Sequence, residues 1–282
     1  MLLPVRWPRR KVDTHKGDYG YVFILGGSPG LTGAVCLCSQ AALKIGAGGV
    51  LAGVPKSLNS IFEIKLTEVM SEPLEEQGGY LCQGAWKTIK EVLSRIDVFA
   101  IGPGAALKTT TQKLILKVIE TVNKPLVVDA DGINALAQNL TVLTRRKTKK
   151  IILTPHLGEF SRLIKQDREK IKKNRKELAR KFALKYNLIL VLKGHRTLIS
   201  DGKRLFENKT GNPGMATAGT GDVLSGMIAG LVAQGLECFE AAKLGVYLHG
   251  LAADFAVKDK TQNCLIASDI IEYLPKAIKA HK

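Results

Sequence analysis

The chain has 282 residues, 45% of them apolar and 24% charged, with a formal net charge of +17. That length and composition suit a globular protein with a sizeable core and argue against a fibrous or disordered one. No apolar run approaches the ~20 residues that cross a bilayer, and the N-terminal segment around Pro4 and Pro8 has none suited to a signal peptide.

Six short runs rich in Val, Ile and Leu come in chain order at residues 21–25, 50–54, 98–101, 126–128, 151–153 and 188–192. Runs apolar on both faces predict buried parallel strands. Between them, helical spacing predicts helices over residues 34–45, 109–122, 133–138 and 175–185. This alternation predicts βαβ units and an α/β fold, with a mostly parallel central sheet flanked by helices on both faces. Residues 197–200 and 204–207, joined through Asp201-Gly202, predict an antiparallel hairpin near one edge. From Asp222 onward the pattern is mostly helical. No repeat or linker divides the chain, so one domain over residues 1–282 is expected.

Charge and cysteines set further bounds. The densest basic stretch, residues 162–181, includes Asp167, Glu169 and Glu177 and has helical spacing through Ile164, Ile171 and Leu178. Solvated helix faces account for most of its charge. No aromatic interleaving suggests a base-stacking surface, so nucleic acid is not an expected partner. Cys36, Cys38, Cys82, Cys238 and Cys264 are odd in number and form no C-x-x-C pair. They predict neither a disulfide framework nor a zinc site, and suit reduced thiols in a cytoplasmic protein.

Chemistry gathers at turns. Residues 211–222 form a Gly-rich loop running into an apolar helix through Val223, Leu224 and Met227. Glycines and a helix N-terminus together favour an anion. Asp222 has two readings there: a helix cap, or a base that takes a proton from a hydroxyl beside a bound phosphoryl group. Neither G-x-x-x-x-G-K-[ST] nor G-x-G-x-x-G is present, since the latter fails at Leu224. Other strand ends carry Gly26-Gly27-Ser28, Gly102-Pro103-Gly104, Asp129-Ala130-Asp131, Thr154-Pro155-His156 with Glu159, and Lys193-Gly194. Polar residues at the ends of successive parallel strands converge on one crevice.

Taken in order with His15-Lys16-Gly17-Asp18-Tyr19-Gly20 and Gly46-Ala47-Gly48, these segments resemble the ADP/ATP-dependent NAD(P)H-hydrate dehydratases, a branch of the ribokinase-like fold. Ala218 stands where glycine is expected in many members. The resemblance implies nicotinamide cofactor repair, in which ADP or ATP phosphorylates the hydroxyl of (S)-NAD(P)H hydrate and loss of phosphate restores NADH or NADPH. Carried over, it places Ala34, Gly104, His156 and Asp222 on the hydrate. Lys193, Gly194, His195, Arg196, Thr197 and Gly221 fall on the nucleotide. Asp222 would be the catalytic base, the amides of Ala218, Gly219, Thr220 and Gly221 would hold the transferring phosphoryl, and Glu159 would organise Mg2+ through water. The resemblance further implies a homo-oligomer, with a tetramer among the candidates, and leans toward ADP as donor. Many relatives carry a fused epimerase, for which the chain has no expected room. The competing reading is a small-molecule kinase of the same fold, acting on a vitamin precursor.

Overall fold

All six apolar runs become strands in the computed structural model, which describes residue 10 and residues 12–280. Pro4, Pro8 and the ends of the expected 1–282 span lie outside the described residues. The strands are β1 (Tyr21–Leu25), β2 (Gly49–Pro55), β3 (Met70–Leu74), β4 (Glu76–Gln77), β5 (Tyr80–Leu81) and β6 (Val98–Ile101), followed by β7 (Leu126–Val128), β8 (Ile151–Leu153), β9 (Ile189–Leu192), β10 (Leu198–Ser200) and β11 (Leu205–Glu207). Nine of them form one sheet in the order β11-β10-β9-β8-β7-β6-β1-β2-β3, while β4 and β5 pair separately. From β9 to β3 the pairings are parallel; β10 and β11 add the expected antiparallel hairpin.

The first five helices are α1 (Thr32–Lys44), α2 (Asn59–Lys65), α3 (Trp86–Val92), α4 (Thr109–Thr121) and α5 (Ala130–Gln138). Next come α6 (Val142–Arg145), α7 (Leu157–Ile164), α8 (Arg168–Lys173) and α9 (Arg175–Tyr186). The last three are α10 (Thr220–Ala233), α11 (Cys238–Lys260) and α12 (Ala267–Lys279). Alternation along each strand separates two cores. Val22, Ile24, Val98 and Ala100 face one side, with α1, α2, α10, α11 and α12. Phe23, Leu25, Phe99 and Ile101 face the other, with helices α3 through α9. The helices on both faces are therefore as expected. Among the described residues no helix is long and apolar enough to cross a membrane.

The chain reverses its direction of travel across the sheet between the adjacent strands β1 and β6, the kind of switch point where open α/β sheets bind ligands. Helix α10 also lies unusually close to α1: methyl groups on Gly226 and Gly230 would strike the carbonyls of Cys38 and Ala42. The His15-to-Gly20 segment packs elsewhere. Gly20 abuts the carbonyl of Ala233, and Gly48 that of Lys16, at the strand starts and the far end of α10. That segment supports the fold from the edge opposite the strand ends.

Candidate active site

Three adjacent strand ends supply the centre of the crevice. Asp129 follows β7, His156 follows β8, and Lys193 follows β9, with His156 and Lys193 extending the parallel ladder by one isolated bridge. Lys193 Nζ donates to Asp129 Oδ1 at 2.6 Å, and Ser225 Oγ of α10 donates to Asp129 Oδ2 at 2.6 Å. Asp129 is only 1% exposed. Burial pulls the Lys193 ammonium down, but Asp129, Glu159 and Asp222 more than offset it and hold it above its ordinary value. Lys193 is thus a partly buried member of the crevice and not a surface lysine.

The first turn of α10 lies against this pair. A methyl group on Gly221 would sit 3.2 Å from Lys193 Nζ and 3.7 Å from Asp129 Oδ2. Gly219 caps the helix at φ 91°, a left-handed conformation suited to glycine, and a side chain there would strike Leu37 and Ala267. Thr220 Oγ1 lies 3.1 Å from both the Met215 and Thr217 carbonyls, which tightens the loop. Below it, His249 of α11 donates from Nε2 to the Thr220 carbonyl at 2.9 Å. Burial holds its pKa down to about 4, so the ring is neutral near pH 7.

Asp222 is the third residue of α10, and no side chain caps this helix start. Its carboxylate makes no hydrogen bond or ion pair among the described residues, so the cap reading finds no cap bond. Burial, with Asp129 next, raises its pKa to about 7 against the pull of Lys193. A half-ionised, unbonded carboxylate beside a helix N-terminus is placed to accept a proton near neutral pH.

His156 caps α7: its Nδ1 accepts from the amides of Gly158 at 2.9 Å and Glu159 at 3.2 Å, and its own amide donates to Glu159 Oε2 at 2.8 Å. This reciprocal box fixes the imidazole at the crevice with more than half of its side chain exposed. Burial, then Lys193 and Arg162, lower its pKa. Glu159 is buried, and burial raises its pKa to about 7 although Lys193 opposes the shift. Its carboxylate is engaged in the cap, an arrangement that suits an ion reached through water better than one bound directly. Among the described residues no group of three or more His, Cys, Asp or Glu side chains is arranged to hold a metal.

Ala34 and Gly104 meet at the β1–β6 switch point. A methyl group on Gly104 would lie 3.1 Å from Ala34 Cβ and would strike the Leu31 carbonyl, while Ser28 Oγ donates to the Gly104 carbonyl at 2.8 Å. The loop beyond is tied down by the Ala106 amide, which donates to Asp131 Oδ2 at 2.8 Å. Of the remaining expected nucleotide contacts, Gly194, His195 and Arg196 are exposed. Thr197 Oγ1 donates to the Gly194 carbonyl at 3.0 Å, closing a tight turn. Arg196 Nη1 reaches Glu207 Oε1 at 3.4 Å. Ala218 is exposed and carries no positive φ, so alanine stands there without strain.

Sequence reasoning gave no role to Ser225 or His249. Each is a buried polar residue with apolar or glycine neighbours in the chain, which is the pattern that marks them.

A family model described as NAD(P)H-hydrate dehydratase matches residues 22–276. A bifunctional NAD(P)H-hydrate repair enzyme of Moorella thermoacetica is 46% identical over 286 residues, covering 99% of this chain and 54% of that protein. The chain thus spans about half the length of the first curated relatives it matches. The ADP-dependent (S)-NAD(P)H-hydrate dehydratase of Neisseria meningitidis is 36% identical over 257 residues, 90% of this chain and 83% of that one. The solved ADP/ATP-dependent NAD(P)H-hydrate dehydratase of Bacillus subtilis, co-crystallised with ATP/Mg2+, superposes with TM-score 0.82 at 29% identity over 98% of this chain and 94% of that chain. The chain belongs to the NAD(P)H-hydrate dehydratase family, on a ribokinase-like fold.

Proposed function

We propose that this chain dehydrates (S)-NAD(P)H hydrate to NAD(P)H at the expense of ADP or ATP. The observation that supports this most is the Asp222 carboxylate, unbonded, raised to about 7, and set on the first turn of α10 against the Lys193–Asp129 pair. Ala34, Gly104 and His156 hold the hydrate with its new hydroxyl toward Asp222. Residues 193–197 and 218–221 receive the nucleotide, the α10 amides taking the transferring phosphoryl. Asp222 takes the hydroxyl proton as the oxygen attacks the terminal phosphorus and AMP or ADP departs. Electron release from the ring nitrogen then expels phosphate, and the neighbouring ring carbon gives up a proton to water as the double bond re-forms. Glu159 would orient a water on a Mg2+ ion bound with the nucleotide, an ion that would supply neutralisation of phosphate charge.

The protein acts as one domain over residues 1–282, as a cytoplasmic homo-oligomer, with ADP the favoured donor. The test is absorbance at 340 nm after mixing the protein with NADH hydrate or NADPH hydrate, Mg2+ and either ADP or ATP. A nucleotide-dependent rise supports the reading and names the donor. A protein that binds nucleotide yet gives no rise with either donor points instead to the small-molecule kinase.

A further inference from the structure

The basic stretch over residues 162–181 has a local use that its solvated charges do not explain. Several of its lysines are paired on the surface: Lys172 with Glu169 at 2.6 Å, Lys176 with Glu207 at 2.7 Å and Lys181 with Glu177 at 2.5 Å. Arg162 and Arg168 have no carboxylate partner among the described residues, and both reach the His156 side of the crevice. A methyl group on Gly158 would sit 2.9 Å from Arg168 Nη2 and 2.9 Å from His156 Cε1, so guanidinium and imidazole are neighbours across one glycine. Arg162 spends Nε on Asn134 Oδ1 at 3.0 Å; Asn134 in turn donates to Asp131 Oδ1 at 3.2 Å, the carboxylate that holds the loop after Gly104. Its orientation is therefore fixed while its terminal nitrogens stay uncommitted.

We infer that Arg162 and Arg168, beside His156, form a subsite for a phosphate group of the hydrate. The identity of that ligand rests on the dehydratase reading; the subsite itself rests on the geometry. Two planar forks with unspent donors match phosphate oxygens far better than a point charge would. Two neighbouring cations also raise the local concentration of an anionic ligand. The hydrate brings such groups in two places: a pyrophosphate in both cofactor forms, and a phosphate monoester on the adenosine ribose of the NADP form alone.

The experiment measures direct binding of NADPH and NADH, which needs no turnover, together with KM and kcat for both hydrates. Arg168 is exposed, so R168Q should fold normally. It is expected to weaken NADPH binding about tenfold and raise KM for NADPH hydrate alike, with kcat within about twofold, the loss typical of one hydrogen bond to a charged group. R162Q should act in the same direction, and R168K, which keeps charge without the fork, should recover part of the loss. Weakening confined to NADPH assigns the monoester; equal weakening of NADH assigns the shared pyrophosphate. Unchanged binding of both, or a loss of ADP affinity in their place, overturns the inference. A protein without dehydratase turnover whose NADPH affinity still falls on R168Q would sink the activity and leave the subsite standing.

Discussion

Lys193 Nζ donates to Asp129 Oδ1 across 2.6 Å, so the cation that faces the first turn of α10 is already gripped by a buried carboxylate. Breaking such a pair from one side leaves a charge in a poor solvent. Asp129→Ala should therefore destabilise the fold by about 3–5 kcal/mol. Denaturant unfolding measures this, and a loss below about 1 kcal/mol would mean that water or Ser225 replaces the carboxylate without cost.

Asp222→Asn should lower turnover by ~10² to 10⁴, the usual contribution of a general base, while ADP still binds. In the wild type, turnover should rise with pH through about 7 as the carboxyl ionises. Asp129→Asn removes the second cause of that raised value and should move the midpoint to lower pH. Stability runs the opposite way. The folded carboxyl keeps its proton to about pH 7 and an unfolded one only to 3.8, so between these values stability falls as pH rises. Asp222→Asn should melt higher than the wild type at pH 8 and no higher at pH 3; equal melting at both would reject the perturbed carboxyl.

Gly221→Val puts branched carbon where the nearest neighbours are the Lys193 ammonium and the Asp129 carboxylate. ADP affinity should fall at least about tenfold, because one displaced charged contact is enough for that. Calorimetry showing wild-type affinity would argue that the nucleotide lies elsewhere.

His249→Gln keeps a donor for the Thr220 carbonyl but cannot be protonated. The folded imidazole takes a proton only near pH 4, the unfolded one at its ordinary 6.5, so wild-type stability should fall as pH drops through that window. The difference in melting temperature between pH 7 and pH 4 should be smaller in the variant. An identical difference would remove His249 from the acid response.

Much of the fold was legible from residue order. The six apolar runs, the hairpin and the crevice-forming turns all sit where periodicity and glycines placed them. The edge strand β3 was not, because Met-Ser-Glu-Pro-Leu has neither an apolar run nor clean alternation, and its pairing is decided by β2 beside it. Ile164, Ile171 and Leu178 do pack on the core, Ile171 fully buried and the other two half-buried. Yet the stretch is three helices: Lys165 turns left-handed at φ 52° and Asp167 caps a new start. In the crevice, sequence singled out Asp222, His156 and Lys193 individually. It gave no hint that Asp129 binds Lys193 to Ser225, since those contacts join residues 64 and 96 positions apart. Nor did the stretch after Lys193 reveal that Arg196 would turn to Glu207.

Helix α10 is wedged at its start, where Gly219 fits against Leu37 and Ala267, and stopped at its other end, where Ala233 meets Gly20. Its 14 residues make a rod of roughly 20 Å. The turn over residues 16–20 is thus the thrust bearing of that rod. Bulk added at Gly20 would push Asp222 out of line from the opposite edge of the sheet, without touching a single residue of the crevice.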